Sequence, residues 1–164
     1  MPVTSEAYES AIKRSRELMK QIGVPSPRRP AGLEEDYEFP TDPAALSSNE
    51  LGRKMLALMA WYGYSTKHLG VQDAELTTMN AVFNILIGKA MVDVQKSSPI
   101  KMVKDQLFAA SLDRDPDLLD FYQRMLQKQT FADTLRAQVQ VYEKQWSALS
   151  REQSRRSEDH RPGA

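Results

Sequence analysis

Residues 47–97 read SSNELGRKMLALMAWYGYSTKHLGVQDAELTTMNAVFNILIGKAMVDVQKS, and the fold is legible first in their spacing. Ser47 stands three residues before Glu50, the arrangement of a capping box in which each side chain serves the other's backbone amide. Leu51, Met55, Leu58, Tyr62, Ser65, Leu69, Gln72, Leu76, Met79, Phe83, Leu86 and Ala90 follow in alternating steps of four and three. Ten of those twelve are apolar, so the spacing predicts a long helix with coiled-coil-like packing. Leu51, Met55, Leu58, Tyr62, Leu69, Leu76, Met79, Phe83 and Leu86 are its expected core or oligomer contacts. Leu56, Met59, Trp61, Val82, Ile85 and Ile87 widen the stripe beyond what one partner helix covers, which implies a bundle or an oligomer. Gly63, Gly70 and Gly88 each cost about 1 kcal/mol relative to Ala inside a helix. The sequence leaves open whether the helix is continuous through them.

Outward from this stretch the pattern stays helical. Residues 5–22 form a short amphipathic helix by periodicity, with Tyr8, Ile12, Met19 and Ile22 on one face and Ser15 between them. Gly23 offers a left-handed stop. Residues 24–48 hold five prolines, Pro25, Pro27, Pro30, Pro40 and Pro43, and read as a linker without regular structure. Its acidic, aromatic centre, Glu34 to Phe39, is expected to be a solvated tether, with docking on a basic surface as the alternative. Ser97-Ser98-Pro99 ends the long run, and Pro99 suits the first position of a next helix, with Ile100, Val103 and Leu107 in helical steps. Asp115-Pro116 repeats that start signal. A last helix then runs to about residue 150 or slightly beyond, where Leu118, Leu119, Tyr122, Leu126, Phe131, Leu135, Val139, Tyr142, Trp146 and Leu149 give it an apolar side with drifting register. The expectation is an all-α protein: a long antiparallel helical hairpin over 49–150, an N-terminal helix over 1–23, a flexible linker over 24–48, and a basic, frayed to disordered tail over 151–164.

Composition narrows the chemistry. The chain has 164 residues, 22 basic and 22 acidic side chains, two histidines and no cysteine. A disulfide scaffold, a thiolate metal site and a cysteine nucleophile are therefore excluded. No stretch is apolar enough to span a bilayer, and the first residues lack a secretory apolar core, so a cytoplasmic protein is expected. Nucleotide-loop, zincin and hydrolase-elbow motifs are absent. His68 sits beside Lys67 on the long helix and is expected to be a surface or packed histidine rather than a catalytic one. Asp113, Asp115, Asp117 and Asp120 lack the glycine and the closing glutamate of a calcium loop, so helix capping explains them better. The sequence reads as a non-enzyme without metal or cofactor.

The neutral total hides an uneven distribution. Residues 31–50 carry six acidic and no basic side chains. Lys89, Lys96, Lys101 and Lys104 bracket the turn at 97–99, and Arg151, Arg155 and Arg156 close the last helix, where a hairpin would bring them near Arg53 and Lys54. These seven are the candidate nucleic-acid contacts, since cations that neutralise phosphates give sequence-independent, salt-sensitive affinity. The aromatics Tyr62, Phe83, Tyr122, Tyr142 and Trp146 lie on apolar faces and are expected in the core rather than as base-stacking platforms.

Three segments give the layout a family likeness: Met59-Ala60-Trp61-Tyr62-Gly63-Tyr64 in the long helix, the acidic helix start Ser111 to Asp117, and the basic, serine-containing end Trp146 to Arg156. Over roughly residues 50–156 the chain resembles the phage recombination mediators of the UvsY class. That resemblance implies a non-enzymatic homo-oligomer that binds single-stranded DNA in the host cytoplasm. It further implies help in loading a recombinase onto strands covered by single-strand binding protein. The competing reading is a phage virion or packaging protein, a connector or small-terminase-like assembly, in which the same apolar stripe serves assembly alone.

Overall fold

The computed structural model describes residues 5–23, 26–32 and 37–159, apart from the side chains of Ser5, Ala7 and Tyr8. Four helices, α1 (Ser5–Gln21), α2 (Ser48–Ser97), α3 (Lys104–Arg114) and α4 (Pro116–Asp159), and a 3₁₀ turn at Pro43–Ala45 make up the regular structure among the described residues. No strand occurs among the described residues, so the class is all-α.

The local chemistry explains the boundaries. α2 starts at the capping box: the Ser47 amide donates to Glu50 Oε2 at 2.8 Å, and the Glu50 amide donates to Ser47 Oγ at 3.2 Å. It runs unbroken through Gly63, Gly70 and Gly88, because tertiary burial outweighs a glycine penalty of about 1 kcal/mol at each. α1 ends at Gln21, and Gly23 just past it, with a φ of 76°, is the left-handed stop. α4 starts where Asp115 Oδ1 accepts from the amides of Asp117 and Leu118 at 3.1 and 3.2 Å.

The start of α3 differs from expectation. Pro99 does not open it; residues 98–103 are non-helical. The Gln95 side chain donates to the Ile100 carbonyl and accepts from the Met102 amide, both at 3.1 Å. Those side-chain bonds take the place of helical ones. The helix therefore opens at Lys104, with the Val103 amide bonded to Gln106 Oε1.

The chain divides into two compact units. The first gathers α1, residues 70–97 of α2, α3 and residues 116–132 of α4. Its core holds Leu76, Met79, Phe83, Ile87, Val94, Leu118, Phe121, Met125 and Ala132. Phe83 lies within 6.2 Å of the rings of Phe108, Phe121 and Tyr122. On α1 the buried positions are Ala11 and Ser15, whereas Ile22 is 74% exposed. Of the expected face, Ser15 is buried, Ile12 and Met19 are half-buried and Ile22 is exposed, while the side chain of Tyr8 lies outside the described residues.

The second unit gathers residues 26–69 and 133–159. Leu51, Leu58, Trp61, Tyr142 and Leu149 are its buried cluster, and Tyr37, Phe39 and Leu46 pack against it. The stretch expected to be a solvated tether is therefore a strap on the core from Tyr37 onward. Burying three apolar side chains outweighs the ordering entropy of a proline-stiffened segment. Its acids Glu34, Glu35 and Asp36 lie outside the described residues. Burial, with Tyr142 beside it, pushes the Tyr37 phenol up to about 12.

Within each unit α2 and α4 run antiparallel. Glu75 meets Lys128 and Phe83 meets Phe121 in the first; Tyr62 Oη donates to Glu143 at 3.1 Å in the second. Of the expected core set, Leu51, Leu58, Leu76, Met79 and Phe83 are buried, and Met55, Tyr62, Leu69 and Leu86 are half-buried. These residues face their own chain. On α4, Leu126, Phe131 and Trp146 are exposed, contrary to expectation, while Phe121, Met125 and Ala132 turn inward. The helix also continues to Asp159, past the end expected near 150.

Candidate nucleic-acid interface

The lysines come from the end of α2, the 98–103 connection and the first residue of α3, all in the first unit. Lys89 and Lys96 stand seven residues apart on one side of α2, two turns of helix. Lys101 lies in the connection that Gln95 and Ser98 hold in place, and Lys104 opens α3. All four are exposed. None makes an ion pair or hydrogen bond among the described residues, and neither Asp93 nor Asp105 is paired with them. Four cations on one short stretch without acidic partners raise the local positive potential. Ile85, Val92, Ile100 and Val103 are exposed in the same stretch of chain.

The arginines at the end of α4 stand differently. Arg155 contacts Glu152 at 2.9 Å and Asp159 at 2.8 Å. Arg156 contacts Glu152 at 2.7 Å and donates to the carbonyls of Pro43 and Ala44 at 3.0 and 3.1 Å. These bonds hold the Glu152 carboxyl down at about 2, Arg155 being the larger cause and Arg156 the next. Arg151 donates from Nε to the Ser147 carbonyl. Arg155 and Arg156 thus tie the helix end to itself and to the strap. Lys54, expected near this group, donates to the Glu38 carbonyl at 3.3 Å.

Of the aspartates at 113–120, Asp115 caps α4 and Asp120 pairs with Arg124 at 2.9 Å. His68 stacks on Tyr64 with centroids 5.7 Å apart. Tyr64 meets Trp61 edge-on, and Arg29 covers Trp61 at 5.1 Å.

One polar cluster is not anticipated by the sequence pattern. Glu75 is fully buried on α2; Arg16 of α1 reaches it at 2.9 Å and Lys128 of α4 at 2.5 Å. The signal was present as an acid beside the core position Leu76. Its partners, 59 and 53 residues away in sequence, were not legible from spacing.

Fold and surface together define an all-α protein with a lysine-rich junction. No family model, curated protein or solved structure matches the chain. No helix among the described residues is long and apolar enough to cross a membrane.

Proposed function

We propose that this chain is a non-enzymatic, self-associating accessory protein that holds single-stranded DNA through phosphate contacts. In the manner of the UvsY-class mediators it resembles, it would help load a recombinase onto strands covered by single-strand binding protein. The observation that carries this reading is the set Lys89, Lys96, Lys101 and Lys104, exposed and without acidic partners among the described residues. Arg155 and Arg156, engaged with Glu152, make a smaller contribution. A second reading, a helical assembly protein of a virion or packaging machine, draws support from apolar residues left exposed on α2: Leu56, Met59, Ile85 and Val92.

The test is fluorescence anisotropy of labelled single-stranded and duplex oligonucleotides across a salt series, with the four lysines changed together to alanine. The expected result is tighter binding to single strands, with a salt slope that falls by about 3 in the variant, near 0.7 for each phosphate no longer neutralised. Absence of binding at low salt would overturn the DNA reading and leave the assembly role.

A further inference from the structure

In the first unit, the outward side of α2 carries two kinds of side chain on one line. At 100° per residue, Ile85, Lys89, Val92 and Lys96 fall within an arc of about 60°. They lie across the helix from the buried Phe83, Ile87 and Val94. Steps of four, three and four carry them along the axis over roughly 16 Å, so apolar and cationic side chains alternate. Asp93, the one acid between Glu75 and Asp105, falls outside that arc. The alternation continues past the helix, as Ile100-Lys101 and then Val103-Lys104. Ile85, Val92, Ile100 and Val103 are 51–70% exposed. On α2 a β-branched residue that its own chain leaves uncovered adds nothing to the helix, where alanine or lysine is better suited.

The lysines are complementary in charge to a polyanion, and the aliphatic side chains between them call for apolar surface at the same short intervals. A duplex offers phosphates but keeps its bases stacked inside, leaving Ile85 and Val92 against sugar and phosphate. A lipid surface takes up a continuous apolar face with cations along its polar side; here the lysines stand on the apolar line itself and interrupt it. A single strand presents phosphates and unstacked base faces in alternation along one chain.

We infer that Ile85 and Val92, with Ile100 and Val103 beyond them, contact the bases of a single strand whose phosphates the lysines hold, and that they set its preference over duplex. The inference rests on the DNA reading proposed above and adds base contact to it.

Anisotropy of the full chain at low salt tests it with three labelled probes of equal length: an oligothymidylate, its duplex with oligoadenylate, and an abasic strand with the same phosphates. The double variant Ile85→Ala, Val92→Ala is measured beside the wild type. Its circular dichroism melt should hold, because both side chains are exposed and alanine favours a helix. The wild type is expected to bind oligothymidylate roughly tenfold tighter than the abasic strand, the order expected when bases cover two aliphatic side chains. The double variant should bring the two within about twofold by weakening the first alone, since its lysine contacts to phosphate are intact. Equal wild-type affinity for both strands overturns the inference and leaves phosphate binding standing. A preference that survives the double substitution also overturns it, placing base contact elsewhere. Failure of every probe to bind overturns the DNA reading itself and this inference with it. Cosedimentation with phosphatidylserine vesicles that the double variant loses, with strand preference kept, overturns it in favour of a lipid surface.

Discussion

Glu75 has no solvent exposure, and its carboxylate is held by Lys128, 14% exposed, and by Arg16, 63% exposed. A buried carboxylate is tolerated only while its cations remain, because its desolvation is otherwise uncompensated. Lys128 is the more enclosed of the two and so the more consequential; the exposed Arg16 is screened by water. Lys128→Met should therefore destabilise the protein by about 3 kcal/mol, as expected when one partner of a buried pair is removed. Adding Glu75→Leu to that variant should recover most of the loss, since an apolar pair leaves no buried charge unpartnered. Urea unfolding of the single and double variants checks both, and a double variant no better than the single would contradict this role for the cations.

At the scale of the element, the end of α4 is a helix terminus that closes on itself. Glu152 bonds Arg155 and Arg156 three and four residues on, the spacing at which helical side chains meet. Its folded carboxyl sits near 2 against an ordinary 4.5. The stabilisation is therefore complete above about 4.5 and is lost as pH falls through 2, when the folded-state carboxyl takes up its proton. Amide exchange should show the last turns of α4 and the Pro43–Ala45 turn loosening together over that window, because Arg156 bonds both. Glu152→Gln should reproduce the loosening at neutral pH. It should also tighten single-stranded DNA binding by removing one negative charge beside Arg155 and Arg156; unchanged affinity would remove the α4 terminus from the DNA contacts.

For the whole molecule, the proposed DNA contact makes affinity a function of salt. Lysine contacts to phosphate release counterions, so added salt weakens them steeply. From 50 to 200 mM salt, DNA affinity should drop by at least tenfold, read by anisotropy. An affinity that holds across that range would mean that something other than the four lysines carries the binding.

The amino-acid sequence by itself determined the helices, because their signals are local: the Ser47–Glu50 box, Gly23 past α1, Asp115-Pro116 before α4, and apolar steps of three and four. It also exposed the four lysines as a group. What only the tertiary structure decided is non-local. The buried side of α4 runs through Leu118, Met125 and Ala132, seven residues apart, rather than the expected Leu126 and Phe131. Tyr37 and Phe39 read as tether residues until a hydrophobic cluster more than ten residues away covered them. Glu75 takes its meaning from Arg16 and Lys128, and Arg155 and Arg156 are drawn out of their role as open cations by Glu152. Periodicity tells which residues share a face of one helix. Which face is covered, and by what, depends on the burial available when distant segments meet.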